Sequence, residues 1–435
     1  MERNGKDLQI YRSNLVTSPA MGELKYLEHA YVIVKGGVIL EVCPVLPAEY
    51  AGAEVTDFGD GILIPAFSDL HIHASQFTER GVGMDCLLFD WLNTYTFPQE
   101  SGFASLPYAE TVDRQVIREL LRHGTMHASF FTTIHYEACD LFFRLLKESG
   151  MYAFTGKVNM DRNSPDFLIE DTAKSIRETD RFIAEHLGDS HVKPILTPRF
   201  APTCSEELLK GLAEIGKRRK VGLQTHLVES IAEASWTKEL FPGYATDGDI
   251  YERLGFLDNG PVIFAHVIFP EERDLEILKK HGCMSVHCPD STANITAGIM
   301  PLSDLAGEGI GISLGSDIGG GHGTGIYRQV ARAVQLSKLK EFYESGYKRI
   351  TFADAFHLAT AAGGSVFGNV GQLREGYQFN ALLIDGLEDD GGNHTILELL
   401  ERFCYIGDDR NIVRRYLDGK LLQRVAENPP SDPLS

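Results

Sequence analysis

The sequence predicts an α/β fold: a TIM-like (β/α)8 barrel with a small β-sandwich domain formed from both chain ends. The main observation is a repeated pattern from Gly61 onward, in which a short apolar run rich in β-branched residues precedes an amphipathic helical stretch. The pattern occurs eight times, and each apolar run ends at or near a His, Arg, Glu or Asp. Active sites of such barrels lie at the C-terminal ends of the strands.

The segments between the apolar runs have the spacing of surface helices. Residues 111–124 and 205–219, for example, carry apolar side chains three and four positions apart, as a helix packed on a sheet does. The eight predicted barrel strands are 61–73, 127–135, 152–160, 193–200, 222–229, 261–269, 283–290 and 311–317.

Both chain ends carry strand-like pieces outside this pattern. Residues 31–45 and 376–385 alternate as half-buried strands do. We therefore predict three segments: 1–60 and 371–435 as the two parts of the small β domain, and 61–370 as the barrel. The alternative is a pair of independent hairpins.

The connection from Ser75 to about Pro107 is unusually long, which predicts that it folds over the barrel mouth. Trp91 and Phe97 lie within it and are candidate lid residues, although packing is the commoner role of such side chains.

Composition limits the kinds of partner. The 435 residues include 61 acidic and 41 basic ones, a net charge of -20, which disfavours nucleic acids and anionic membranes and favours a small-molecule ligand. The seven cysteines contain no C-x-x-C pair, which argues against a disulfide framework and a thiolate zinc site. With no signal-peptide or membrane-spanning run, a cytoplasmic location is expected.

Four histidines and one aspartate form a candidate metal site. His71 and His73 are two apart in a strand, so their side chains share one face. His226, His266 and Asp317 lie at the ends of the fifth, sixth and eighth runs, where the strand ends of a barrel meet. Imidazoles with one carboxylate favour Zn²⁺ or Fe²⁺ over Mg²⁺ or Ca²⁺.

The motifs around these residues resemble a known family. PAFSDLHIHA, THLVES, AHV, SVHCPDST and SLGSD, in this order, are similar to the signature of the amidohydrolase superfamily. Further stretches are similar to the guanine deaminases within it: HIHASQF, WLNTYTFPQE, TTIHYEA, GKVNMD and TPRFAPTCSEELL. The resemblance implies hydrolytic deamination of guanine to xanthine and ammonia. Alternatives are another aminated heterocycle (an oxidised purine, a pterin or a triazine) or a non-catalytic assembly module.

The resemblance also implies one metal ion per chain, Zn²⁺ with Fe²⁺ as the alternative, and a homodimer. Binuclear relatives hold two metals with a carboxylated lysine at the end of the fourth strand. Here that strand ends in TPRF, and its only lysine, Lys193, stands at its beginning.

Three residues are expected to carry the chemistry. By resemblance, Asp317 takes a proton from the attacking water and Glu229 protonates the ring nitrogen beside the attacked carbon. Glu229 follows His226 by three, although H-x-x-E alone is a weak signal that a solvated Glu also fits. His266 is either a metal ligand or a hydrogen-bond donor.

Substrate recognition is assigned by resemblance to Gln76, Arg199 and Phe200. A guanidinium offers paired donors to a purine oxygen and the adjacent nitrogen. Each residue has an alternative role: Gln76 in fixing its loop, Arg199 in pairing with a carboxylate such as Glu100, and Phe200 in packing. Three further histidines have no assigned role, namely His135, His287 and His322.

Overall fold

The computed structural model describes residues 7–387 and 392–422. The outer ends of the predicted small β domain, residues 1–6 and 423–435, lie outside this range, as do residues 388–391. The described chain is an α/β protein with parallel sheets.

Seventeen strands are present in the described residues. In chain order, β1 to β17 are Leu8–Ala20, Glu23–Lys35, Val38–Cys43, Thr56–Pro65, Phe67–His73, Thr125–Phe131, Tyr152–Gly156, Val158–Asn159, Val192–Pro194, Thr197–Pro198, Leu223–Leu227, Val262–His266, Met284–His287, Gly311–Leu314, Ala381–Ile384, Ile412–Leu417 and Lys420–Leu421.

Fourteen α-helices accompany the strands within the same ranges. In chain order, α1 to α14 are Leu88–Trp91, Phe97–Ser101, Leu106–Arg122, Tyr136–Ser149, Thr172–His186, Glu206–Arg219, Ile231–Leu240, Asp247–Leu254, Glu272–His281, Pro289–Asn294, Leu302–Gly307, Ile326–Tyr343, Phe352–His357 and Ile396–Ile406.

Two four-stranded parallel sheets form the centre of the fold. Their strand orders are β5-β6-β7-β9 and β11-β12-β13-β14. A single parallel bridge, Leu196 to Leu223, joins them on one side. On the other side, Asp317 N donates to His71 O at 2.9 Å. The C-terminal ends of both sheets therefore face a common centre.

The predicted first barrel strand, 61–73, is two strands. It divides at Ala66, whose N donates to Asn380 O at 2.9 Å. β4 pairs with β1 and β15, whereas β5 pairs with β6. Both halves are buried throughout, so the pattern of the run gives no sign of where one strand ends and the next begins.

Strands from both chain ends join in one sheet. Its order is β17-β16-β15-β4-β1-β2-β3, so β15 to β17 continue the sheet begun by β1 to β4. Independent hairpins at the two ends are therefore excluded. The Tyr11 ring stacks on Phe379 with ring centroids 5.0 Å apart, in the core of this sheet.

The helices cover the parallel sheets as their sequence pattern predicts. The segment 205–219 is α6, and Ser205 caps it by accepting from Leu208 N at 3.0 Å. The segment 111–124 is the greater part of α3, which buries Val116 and Leu120. No helix in the described ranges is long and apolar enough to span a bilayer.

Candidate active site

The five predicted metal-binding residues meet at the C-terminal ends of the parallel strands. His71 and His73 end β5, His226 lies near the end of β11, His266 ends β12 and Asp317 follows β14. All five are buried. Their potential ligand atoms fall into groups whose members lie within 4.8 Å of one another.

The donor atoms are close but are not all joined by hydrogen bonds. Asp317 Oδ1 lies 3.2 Å from His71 Nε2 and 3.5 Å from His73 Nε2. Within the described residues, His71 Nε2 is buried and has no hydrogen-bond partner. Ligand atoms each about 2.0 Å from a tetrahedral Zn²⁺ are roughly 3.3 Å apart. The donor set therefore fits a divalent metal ion.

A hydrogen bond to the backbone fixes the orientation of the His226 ring. Arg199 O accepts from His226 Nδ1 at 2.6 Å, which places the proton of the neutral ring on Nδ1 and the lone pair on Nε2. This Nε2 lies 3.0 Å from His73 Nε2, at the centre of the cluster. A carbonyl acceptor behind the ring is the usual support of a metal-binding histidine.

Burial keeps the imidazoles of His73, His226 and His266 neutral. It lowers the pKa of His266 to about 3 and holds the pKa values of His73 and His226 well below the ordinary value. Burial alone would raise the pKa of Asp317, but the His71 and His266 imidazoles hold that pKa well below its usual range. Neutral rings with one carboxylate are the forms that bind metal.

The strand ends turn sharply to bring these side chains inward. His266 and Asp317 have φ values of 73° and 49°, in the left-handed region that non-glycine residues rarely adopt. Each such residue costs on the order of 1–3 kcal/mol, and such strain concentrates at functional sites. The Asp317 N to His71 O hydrogen bond holds one of these turns.

Glu229 lies beside the cluster, as predicted. Its Oε1 is 3.4 Å from His266 Nε2, and it is 7% exposed. Burial, followed by the negative charges of Asp317 and Glu233, raises its pKa well above the ordinary value. Glu229 is thus a buried residue of the site, and the alternative of a solvated surface Glu is wrong.

Sequence reasoning missed Glu233, which holds the backbone of Glu229. Glu233 Oε2 accepts from Glu229 N at 2.7 Å and from Ser230 N at 3.3 Å. Ser230 Oγ accepts in turn from Glu233 N at 3.1 Å. This is a capping box at the start of α7, and the S-x-x-E signal in the sequence could have identified it.

Gln76 and Arg199 face the same cavity, and both contact Glu100. Arg199 Nη1 donates to the two oxygens of Glu100 at 2.9 and 2.8 Å. Gln76 Nε2 donates to Glu100 Oε1 at 2.8 Å, and Gln76 Oε1 accepts from Gly319 N at 3.2 Å. The predicted alternative of an Arg199–Glu100 pair is thus present.

The cavity that contains this cluster encloses about 520 Å³ of space, including the part open to solvent. Phe89 and Phe200 line it, and the Trp236 ring lies 6.0 Å from Phe89 and 6.3 Å from Phe200. Trp91 lines the cavity from the long connection after β5. Phe97 instead packs behind Arg199, with its ring centroid 5.2 Å from the guanidinium carbon.

The remaining predicted histidines lie outside the candidate metal groups of the described chain. His322 is exposed, and its Nδ1 accepts from Asn294 Nδ2 at 3.1 Å. His287 is buried and His135 is half-buried. Cys288, not predicted, groups with His266 and Asp317, but burial raises its pKa well above the ordinary value and leaves a weakly binding thiol.

Comparison with known proteins agrees with this geometry. Residues 62–422 match the model of the amidohydrolase family. Guanine deaminase of Dictyostelium discoideum is 35% identical over 379 residues, covering 85% of this chain and 84% of that protein. Guanine deaminase of Rattus norvegicus is 34% identical over 429 residues, covering 95% and 92%.

A solved structure extends the likeness to three dimensions. Guanine deaminase from C. acetobutylicum, with guanine bound in its active site, superposes with a TM-score of 0.93 and 37% sequence identity. The match covers 95% of this chain and 100% of that one. Sequence and structure agree over nearly the whole length, and the chain therefore belongs to the amidohydrolase family, alongside guanine deaminases.

Proposed function

We propose that this chain hydrolyses guanine to xanthine and ammonia. The observation that carries the proposal is a single cavity that brings together the histidine–aspartate cluster, the buried Glu229 carboxyl, and the donors of Gln76 and Arg199. The relatives reported above are named guanine deaminases, and one of them holds guanine in its active site.

The proposed cofactor is one Zn²⁺ per chain, with Fe²⁺ as the alternative. The residues that would hold it are His71, His73, His226 and Asp317, with His266 beside them. The ion, when bound, lowers the pKa of a water molecule towards neutrality and so supplies the nucleophile. Four neutral imidazoles and a carboxylate are the donor set that suits these metals.

Two carboxyl groups are proposed to move the protons. Asp317 accepts a proton as the water oxygen bonds to C2 of guanine, and Glu229 donates one to the adjacent ring nitrogen. Asp317 then passes its proton to the amino group, the hydroxyl on C2 gives its proton to Glu229, and the C2–amino bond breaks, so that ammonia leaves and both carboxyl groups return to their starting states. The raised pKa of Glu229 and the lowered pKa of Asp317 support this division into donor and acceptor.

Recognition of the ring is proposed for Gln76, Arg199 and Phe200. Arg199 and Gln76 carry N–H donors at the cavity wall, suited to the oxygen and ring nitrogen of a purine. Phe200 lies at the mouth, with its ring 6.4 Å from that of His226, and offers an apolar face to a planar base.

We also propose a barrel and a small β-sandwich as the two parts of the fold. The two parallel sheets are proposed to form one (β/α)8 barrel within 61–370, whose first strand is β5 because β4 belongs to the other sheet. The contacts that join the two sheets at both edges support this proposal. The parts 1–60 and 371–435 are proposed to form a small β-sandwich. Its support is that Phe379 donates to Gly37 O and accepts from Gly419 N, which links opposite edges of the sheet.

Location and assembly are likewise proposals. All seven cysteines are free thiols, which supports a reducing compartment such as the cytoplasm. A homodimer is proposed because symmetric dimers are the commonest protein assemblies.

A panel of aminated rings tests the function. The metal-loaded protein is incubated with guanine, adenine, cytosine, an aminated pterin and an aminotriazine, and ammonia release is measured. We expect guanine to be turned over with the highest kcat/KM. A clear preference for another ring would contradict the proposal.

The variant Arg199→Lys tests ring recognition. Lysine keeps the positive charge but lacks the planar fork, so we expect kcat/KM for guanine to fall about tenfold or more, with little change in metal content or Tm. Arg114→Lys, at an exposed position in α3, is the matched control. A lower Tm with unchanged preference between guanine and a ring that lacks the oxygen would assign Arg199 a purely structural role.

A further inference from the structure

The connection between β5 and β6 contains a buried carboxylate, Glu100, that accepts hydrogen bonds from Gln76 and Arg199, two of the residues proposed to recognise the ring. Glu100, in α2, is 2% exposed. Its two oxygens accept from Arg199 Nη1, and its Oε1 also accepts from Gln76 Nε2. One carboxylate therefore joins a side chain that follows β5 to a side chain that follows β10.

Glu100 leaves both side chains with donors for a ligand. A guanidinium has five N–H groups and a primary amide has two, and Glu100 engages only Nη1 of Arg199 and one amide nitrogen of Gln76. The opposite end of the Gln76 amide is fixed by Gly319 N. Both side chains line the cavity in one defined orientation.

The same contact cancels the charge of Arg199. Arg199 is 4% exposed and Glu100 is 2% exposed, so water screens neither charge and each depends on the other. Glu79 is buried as well, and burial together with the Glu100 charge raises its pKa to about 8, which keeps it mostly neutral at pH 7. Gln76 and Arg199 therefore present hydrogen-bond donors at the cavity wall without a net positive charge.

We propose that Glu100 is a positioning residue that joins Gln76 and Arg199 into one electrically neutral recognition unit, and that this unit selects uncharged purines over purine anions. The inference rests on the proposed function and specifies its substrate class. Without Glu100, Arg199 would bring an uncompensated positive charge to the cavity, and an anionic ring would gain from that charge.

Two planar purines without an exocyclic amino group provide the probes. At pH 7 hypoxanthine is neutral and urate is a monoanion, and neither can release ammonia. Binding of each probe to the metal-loaded protein is measured by calorimetry. We expect the wild type to prefer hypoxanthine. In Glu100→Gln, we expect the ratio of the two Kd values to shift towards urate by about tenfold or more.

Glu100→Asp separates charge from position. It keeps the negative charge but withdraws the carboxylate by one methylene, so we expect the wild-type preference for hypoxanthine to persist. We expect kcat/KM for guanine to fall by about tenfold or more, mainly through KM, because Glu100 does not touch the reacting atoms. Glu110→Gln, an exposed carboxylate in α3, is the control and should match the wild type in both assays.

The outcomes separate the inference from the function on which it rests. A Glu100→Gln protein that binds urate and hypoxanthine in the wild-type ratio overturns the inference, even if its Tm falls. If that variant does not fold, wild-type kinetics in Glu100→Asp overturn the inference, and a rise in KM with kcat retained supports it. A wild type that releases no ammonia from guanine refutes the proposed function, while the probe ratios still test Glu100.

Discussion

The variant Glu229→Gln is expected to keep its metal and to lose kcat by about 10² to 10⁴. Glutamine keeps the shape and hydrogen-bonding capacity of the side chain, but it cannot donate a proton to the ring and recover it. Ammonia release from guanine measures the loss, and elemental analysis measures the metal content.

The position of Glu229 explains why no nearby group should replace it. Its Oε1 is 3.4 Å from His266 Nε2, and its backbone is held by Glu233. Burial, followed by the negative charges of Asp317 and Glu233, raises its pKa well above the ordinary value, the direction that suits a proton donor. The pKa of Asp317 has the opposite shift, so Asp317 starts the reaction without a proton to donate.

The control for this variant is Glu239→Gln, at an exposed position in α7, the helix that follows Glu229. It removes one carboxylate of the same type and should keep wild-type kcat and metal content. A Glu229→Gln protein within about threefold of the wild type would mean that another group carries the proton.

The positions of the strand-end residues could be predicted from sequence because they follow from two simple periodicities. His71 and His73 share one face of a strand, and both Nε2 atoms do approach Asp317 Oδ1. His226 and His266 follow successive parallel strands, whose C-terminal ends meet at one edge. Neither inference requires knowledge of a loop.

The contacts that loops make could not be predicted in the same way. The pairing of Arg199 with Glu100 depends on how the connection after β5 crosses the cavity, and that connection has no repeating pattern. Sequence reasoning therefore named Glu100 only as an alternative partner. Gly319, whose N–H orients Gln76, has no distinctive sequence signal.

The division of the run 61–73 illustrates a second limit. Its two halves enter different sheets, but both are fully buried from Gly61 to Pro65 and from Phe67 to His73. Hydrophobicity reports burial and not the identity of the partner strand. Strand-like segments at both chain ends indicated one shared β domain, because a strand needs a partner for its backbone hydrogen bonds. The order of the seven strands in that sheet could not be predicted from the sequence.

The variants His71→Ala and His226→Ala are each expected to lose most of the bound metal and of the activity. His71 and His226 belong to one candidate metal group with His266, and His71 also groups with His73 and Asp317. Loss of one imidazole from so small a set removes a ligand bond and leaves a cavity in a buried site. Even removal of an outer-shell partner typically costs 10- to 100-fold in metal affinity, so loss of a direct ligand should cost at least about that much.

Metal content per chain and kcat for guanine are measured together, before and after chelation and readdition of Zn²⁺. The wild type should regain activity on readdition, and its Tm should rise with metal concentration because the ion binds the folded state. His322→Ala is the matched control, since His322 is exposed and lies outside the donor cluster. Full metal stoichiometry with wild-type turnover in His71→Ala or His226→Ala would contradict the assignment of these residues as ligands.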